Sequence, residues 1–294
     1  FANEYDYTSF GLGGAMSRSF NDKNTELSMK GSVYLDAWKL LYPIELRGSA
    51  FSTLNPTYTP QFTELNSNGR NSYAVGFGFS QILSKKITSS IALDLVAQQG
   101  QLSTPFQRVY FADVADSYFG NFHLADDIER LPNLRIKAAA GVKVHAFIND
   151  YLVLRTFYRF YSDDWGVGSN TVQFELPIKL VGGKFTLYPS YRFYGQSASN
   201  YFKGYNEHLS TDEFYTSDFD LSSYVADQIG FGIGYRNTGD KMKVQGNVAG
   251  LKAKLALKSF NVKYYRYQRR STPFYFDLVS LGAKFTFDVK KAKN

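Results

Sequence analysis

The amino-acid sequence predicts an all-β protein: a transmembrane antiparallel up-and-down β-barrel, with about 11–12 strands within its 294 residues. Three observations predict it. From Asn133 to Gly195, apolar and polar residues alternate through four successive stretches of roughly ten residues. Lys and Arg recur on one face of these stretches, and the other face carries almost no charge. The links between stretches are alternately short and long, as in barrels with tight periplasmic turns and larger extracellular loops.

The first central strand sets Ile136, Ala138, Ala140, Val142, Val144, Ala146 and Ile148 against Arg135, Lys137, Lys143 and His145. The second sets Leu152, Leu154, Thr156, Tyr158 and Phe160 against Arg155 and Arg159. The third opposes Val172, Phe174, Leu176, Ile178 and Leu180 to Gln173, Glu175, Pro177 and Lys179. The fourth opposes Phe185, Leu187, Pro189, Tyr191 and Phe193 to Lys184, Thr186, Ser190, Arg192 and Tyr194. A large soluble antiparallel barrel would share the alternation. Its strands, however, are usually only about 5–6 residues long, and a dry core does not take rows of Lys and Arg. The cationic face must meet water and the uncharged face lipid.

Asn149–Asp150 and Gly182–Gly183 mark tight turns, and SDDWGVGSN a longer link. Tyr158, Phe160, Tyr161, Trp165, Tyr191, Phe193 and Tyr194 gather at the long-link ends, where an aromatic girdle is expected. Before this region, strands are expected in EYDYTSFGLGGAMSR, TELSMKGSVYLDAW, SYAVGFGFSQIL and ITSSIALDLVAQQ. The inward Ala74, Gly76, Gly78 and Ser80 leave lumen space for something to fill. After it come YVADQIGFGIGYR, LKAKLALKSFNVKYYRYQRR and FYFDLVSLGAKFTFDV. The alternation of the second of these slips near Lys258 and Ser259, which predicts a bulge or a hidden turn. Arg236–Gly250 reads as an extended periplasmic turn. Three long loops are expected, at Lys39–Arg70, Gln99–Pro132 and Gln196–Ser222.

Residues 1–294 thus read as one barrel domain. Barrels of this class have even strand numbers, so a count of about eleven leads us to expect at least one further strand ahead of Phe1. The 17% aromatic and 44% hydrophobic content suit amphipathic strands, and no apolar run of about 18 residues announces a helical span. Cysteine is absent, which excludes thiolate metal sites and disulfides. The net charge of +7 invites a nucleic-acid reading. The cations sit singly on alternate strand positions, with no recognition helix or stacking platform, so no nucleic-acid partner is expected.

Several segments resemble an uncharacterised family of Gram-negative outer-membrane barrels carried as a domain of unknown function. They include EYDYTSFGLGG, FNDKNTELS, DAWKLLYPIELR, RNSYAVGFGFSQILSKK, LSTPFQRVYF, DIERLPNLR, NDYLVLRTFYRFY and EFYTSDFDLSSY, spread from Glu4 to about Tyr224. The resemblance implies a longer N-terminus and a total near sixteen strands, within the range of such barrels. It implies an outer-membrane location. It also implies envelope neighbours: a small lipoprotein, a thioredoxin-like protein and a flavin transferase. It brings no catalytic residues and no cofactor.

Lys137, Lys143, Arg155, Arg159, Lys179, Lys184 and Arg192 form a basic lumen lining suited to small anions. The alternative is that they pair with Glu175, Asp94, Asp288 or a plug and hold the barrel shut. The loops are acidic, in Asp113, Asp116, Asp126, Asp127 and Glu129, and in Glu207, Asp212, Glu213, Asp218 and Asp220. Divalent-cation sites and plain turn chemistry both account for them, and no calcium-loop spacing is present. Of the three histidines, His208 with Ser210 or Asp212 is the one conceivable catalytic group, and no motif supports it; neither an enzyme nor a metal site is expected. The loops also carry Phe106, Tyr110, Phe111, Tyr118, Phe119, Tyr201, Phe202, Tyr205, Phe214 and Tyr215, which fit either a partner surface or an inward plug. Two functions follow: a channel-like barrel for small anionic solutes working within an envelope complex, or a plugged barrel anchoring periplasmic or surface partners. The bilayer with its lipopolysaccharide is the partner common to both.

Overall fold

The computed structural model describes residues 1–48, 57–237, 243–248 and 251–291, with side chains for all of these except 243–248, 251–254 and 288–291. Alternating sequence becomes strand throughout. The wall strands are β1 (Tyr7–Phe20), β2 (Thr25–Trp38), β3 (Gly69–Ser84), β4 (Ile87–Gly100), β5 (Leu134–Phe147) and β6 (Val153–Asp163). They continue as β7 (Gly168–Glu175), β8 (Ile178–Leu180), β9 (Phe185–Leu187), β10 (Ser190–Gln196), β11 (Tyr224–Arg236), β12 (Lys243–Val248), β13 (Leu251–Arg269) and β14 (Tyr275–Lys291). All belong to one antiparallel sheet in which chain neighbours are sheet neighbours. Pro177 separates β7 from β8, and Pro189 separates β9 from β10, because proline gives no donor to a ladder. Each pair still occupies one place in the wall, as do β11 and β12, which both lie against β13.

The register shows how the sheet is shaped. A cross-strand row that starts at Phe20 and Thr25, beside the turn ending β1, passes Gln81, Ser89, Val144, Thr156, Phe174, Tyr191 and Ile229. It arrives at Arg266 and Asp277, close to the opposite ends of β13 and β14. The wall therefore climbs by almost a full strand length from one side to the other. That is the tilt and stagger of a barrel wall, which a flat sheet lacks. β1 and β14 both run from the long-loop rim to the short-turn rim, and no ladder joins them among the described residues. The two-residue strand Ala2–Asn3 pairs antiparallel with the start of β1.

The two faces differ as the alternation requires. On the outer face Met16 is 72% exposed, Ile229 66% and Leu281 69%, values that burial in lipid, not water, makes affordable. The inner face carries ion pairs: Lys30–Asp94 at 2.9 Å, Arg70–Asp36 at 3.1 Å and Lys263–Glu175 at 2.9 Å. The space beside inward glycines is taken by their neighbours' side chains. A Cβ on Gly76 would stand 2.3 Å from Lys30 Cε and 2.6 Å from Asp94 Oδ1, so the ion pair lies flat across that glycine.

The short turns follow local chemistry. Asn21, Asp22 and Lys23 all adopt positive φ, as do Val181, Gly182 and Gly183. Asn149 Oδ1 accepts from the Tyr151 and Leu152 N–H groups, both at 2.9 Å. The phase slip near Lys258 is a bulge between Leu257 and Ser259 within one continuous strand. Arg236–Gly250 is more than a turn, because β12 forms a hairpin with β13 inside it.

The chain has no cysteine, so single cysteines carrying spin labels report each face without background. In lipid vesicles, labels at Ile229 and Phe231 should collide with membrane-dissolved oxygen more than with a water-soluble nickel chelate. Labels at Ser90 and Gln228 should show the reverse order; one order at all four positions would refute the two-faced wall.

Candidate functional site

The candidate site is the basic inner face and the loops that cap it. Strand register sets the basic residues on two levels. Lys137, Arg159 and Arg192 lie within one turn-length of the long-loop ends of β5, β6 and β10. Lys143, Arg155, Lys179 and Lys184 lie toward the short-turn rim. Of the seven, Arg155 has a carboxylate at salt-bridge distance, its Nη1 standing 2.8 Å from Glu175 Oε1. Glu175 also meets Lys263, which reaches it across β10 and β11. Among the described residues the other six have no such partner; Lys143 and Lys179 lie over the rings of Phe157 and Phe147. Asp94 is taken by Lys30, and the side chain of Asp288 falls outside the described residues.

Two hollows open on this face toward the short-turn rim. One, of about 300 Å³, is lined by Lys23, Glu26, Lys143 and His145. Another, of about 720 Å³, is lined by Arg155, Lys179, Tyr188 and Arg236 near the short-turn rim.

The three long loops fold onto one another at the long-loop rim. Leu46 and Tyr58 of the first pack with Leu124, Ala125 and Ile128 of the second. Val109 and Phe111 of the second pack with Tyr215 of the third. Of the aromatic residues expected to plug the lumen or meet a partner, Phe111 and Tyr215 are thus core of the cap, while Phe106, Tyr118, Phe119 and Tyr205 are exposed. Tyr110 stacks on His123 and contacts Tyr205; Tyr201 contacts Phe214 and Trp165, and Phe202 contacts Phe219.

The loop acids hold this core together. Glu45, fully buried, receives Arg108 through Nε at 2.6 Å and Nη2 at 3.2 Å. Asp127 binds Arg130 and accepts from the Tyr215 hydroxyl at 2.6 Å, and Arg130 also donates to the Thr63 carbonyl, so one cluster ties all three loops. Glu129 accepts from the Thr104 N–H at 2.6 Å and the Thr216 hydroxyl at 2.5 Å. Burial pushes the carboxyl of Asp126 up and that of Glu129 up to about 7. Asp212, bonded by Lys203 and the Leu209 N–H, is held below the ordinary carboxylate range. No group of three or more potential metal ligands occurs among the described residues. His208 is 1% exposed, its Nε2 donates to the Thr216 carbonyl at 2.9 Å, and Ser210 donates to Asp113 instead of meeting it.

Sequence reasoning missed the latch between cap and wall. Trp165, expected in the aromatic girdle, is buried; its Nε1 donates to the Leu134 carbonyl and Arg135 stacks over its ring at 4.3 Å. Asp163 receives Arg135, the Tyr161 hydroxyl and the backbone N–H of Trp165 and Val167. The signal was present in DDWG, an Asx turn followed by glycine, but its partner Arg135 lies a strand away.

An outer apolar face, ladder-paired strands and a polar lumen are the features of a Gram-negative outer-membrane barrel, and the protein sits in that membrane. No helix among the described residues is long and apolar enough to cross a membrane, which leaves strands to do so. Residues 1–265 match the family described as protein of unknown function DUF3570. The chain belongs to the DUF3570 family. No curated protein matches this DUF3570 chain in sequence. Among solved structures it is similar to a ferric enterobactin receptor (PfeA) mutant of Pseudomonas aeruginosa, at 9% identity and TM-score 0.41, over 90% of this chain and 39% of that one. It is also similar to CdiB of Acinetobacter baumannii, at 10% identity and TM-score 0.34, over 94% and 47% of the two chains. BauA, the ferric preacinetobactin receptor of Acinetobacter baumannii, gives 10% identity and TM-score 0.34 over 98% and 45%. The DUF3570 chain thus spans less than half the length of each.

Glu129 makes cap stability depend on pH. A carboxyl held to about 7 in the fold and released near 4.5 in an unfolded loop stabilises fully below pH 4.5. That contribution is lost as pH rises through 7, and amounts to about 3 kcal/mol between the two limits. Hydrogen exchange of loop amides should therefore quicken from pH 4.5 to 7 beyond the intrinsic base-catalysed rise, and Glu129→Gln should abolish the excess. Separately, Asp163→Ala leaves Arg135 unpaired and should cost about 3–5 kcal/mol in urea unfolding of the cap.

Proposed function

We propose that this barrel passes small anionic solutes across the outer membrane along its basic lumen, in a non-catalytic role and as part of an envelope complex. The observation that carries the reading is that six of its seven lumen cations, at both levels, have no carboxylate partner among the described residues. Fixed, uncompensated cations in a narrow, partly low-dielectric passage attract mobile anions and repel cations. Hollows containing Lys143 and Arg155 with Lys179, both toward the short-turn rim, offer resting places for such ions.

A plugged barrel that anchors partner proteins is the second reading, favoured by the packing of the three long loops into one folded cluster. In both, the outer rim faces lipopolysaccharide. Arg270 with Asp227 and Tyr191, and Arg266 with Asp277 and Tyr264, place paired cations and hydroxyls at headgroup height. An envelope lipoprotein is a partner consistent with either.

Charge reversal separates the readings. In a planar bilayer with a salt gradient, Lys137→Glu together with Arg159→Glu should lower the chloride-over-potassium permeability ratio by about tenfold or invert it. A conducting barrel whose anion preference is unchanged by both substitutions would refute the basic lining as the selective element.

A further inference from the structure

One hollow of the inner wall is built differently from the others. It lies under the long-loop rim, has a volume of about 300 Å³, and is lined by Arg192, Tyr194, Tyr224, Gln228, Tyr267 and Phe276. Its floor is a single cross-strand row, Arg192–Gln228–Tyr267–Phe276, running over β10, β11, β13 and β14. The rings of Tyr267 and Phe276 stack at 4.8 Å with 22° between their planes. In the next row Tyr194 and Arg269 flank Ala226, whose small side chain leaves the depression between them. Tyr224 closes the upper side, 5.6 Å from Tyr194 and beneath Arg269 at 4.1 Å.

Two kinds of group converge there. Arg192 is exposed, its cross-strand neighbours Gln173 and Gln228 are neutral, and it has no carboxylate partner among the described residues. The carboxylates at hand are engaged: Asp227, which also lines the hollow, by Arg270 and Tyr191, and Asp220 by Arg269. Four aromatic rings line the hollow together with the guanidinium. A small inorganic ion needs only the charge; rings add attraction for a flat apolar body, through offset or edge contacts. A guanidinium forks onto a carboxylate or phosphate through two parallel hydrogen bonds.

We propose that this hollow is a recognition site for small anions that carry a planar ring, with the anionic group on Arg192 and the ring against Tyr267 and Phe276. It rests on the anion-passage reading for its physiological purpose, and it names the solute class that passage would favour. The site stands at the mouth, where an entering solute meets it before the lower hollow with Arg155 and Lys179.

Equilibrium binding tests the site without requiring conduction. The detergent-solubilised full chain is dialysed against radiolabelled benzoate, with acetate as the ringless probe. Benzoate should bind about tenfold more tightly than acetate, the gain expected of one good ring contact. Tyr267→Ala should remove that difference while leaving acetate binding unchanged, and Arg192→Gln should weaken both. Circular dichroism checks that each variant keeps its strands. Equal binding of the two probes, or benzoate binding unaffected by Arg192→Gln, would overturn the proposal. A silent bilayer recording alongside ring-selective binding would reject passage and keep the site; anion current without ring selectivity would do the opposite.

Discussion

The structure depends on one constraint: inside lipid, every backbone N–H and C=O must find a partner within the protein. A tilted ladder of antiparallel strands meets that demand for the whole wall, and the two-residue period of a strand then assigns every side chain to lipid or lumen. From Thr25 to Asp277 one unbroken register carries this assignment across the sheet. A one-residue slip would send Lys143, Arg159 and Arg192 into hydrocarbon and Val142, Phe160 and Phe193 into the lumen. The bulge between Leu257 and Ser259 is the local cost of keeping β13 in phase at both ends.

The same constraint divides the molecule energetically. The wall has almost no dry interior; its core-like burial is concentrated in the cap, around Leu124, Ile128 and Phe111. There, outside the bilayer, ordinary soluble-protein rules return. Carboxylates such as Glu45 and Asp127 are buried because a guanidinium or hydroxyl satisfies them. The Asp163–Arg135–Trp165 latch couples the two regimes, joining the end of β6 to the base of the third loop.

The wall was legible in the sequence because period-two alternation is local: the strand positions and the tight turns at Asn149 and Gly182 were readable from neighbours. The cap was not, since its contacts join residues far apart, as Glu45 meets Arg108 and Asp127 meets Tyr215. Loop aromatics such as Phe111 and Tyr215 therefore read as either a partner surface or an inward plug, although they form a core of the folded loops. Trp165 read as girdle because strand-end aromatics normally face the interface, yet an Asx turn at Asp163 redirects it inward. The small inward residues Ala74, Gly76, Gly78 and Ser80 read as leaving lumen space for something to fill; at Gly76 the cross-strand reach of Lys30 occupies it.

The lumen chemistry follows from the same division of faces. The proposed anion passage rests on six inner-face cations without carboxylate partners among the described residues, with a hollow near the long-loop rim lined by Tyr194, Tyr224 and Tyr267. The most direct measurement is the zero-current potential of the wild-type protein in a planar bilayer separating two potassium chloride concentrations. A steady conductance whose reversal potential lies toward the chloride equilibrium value is the result predicted. A folded, inserted barrel that stays silent, or one that reverses toward potassium, would contradict anion passage.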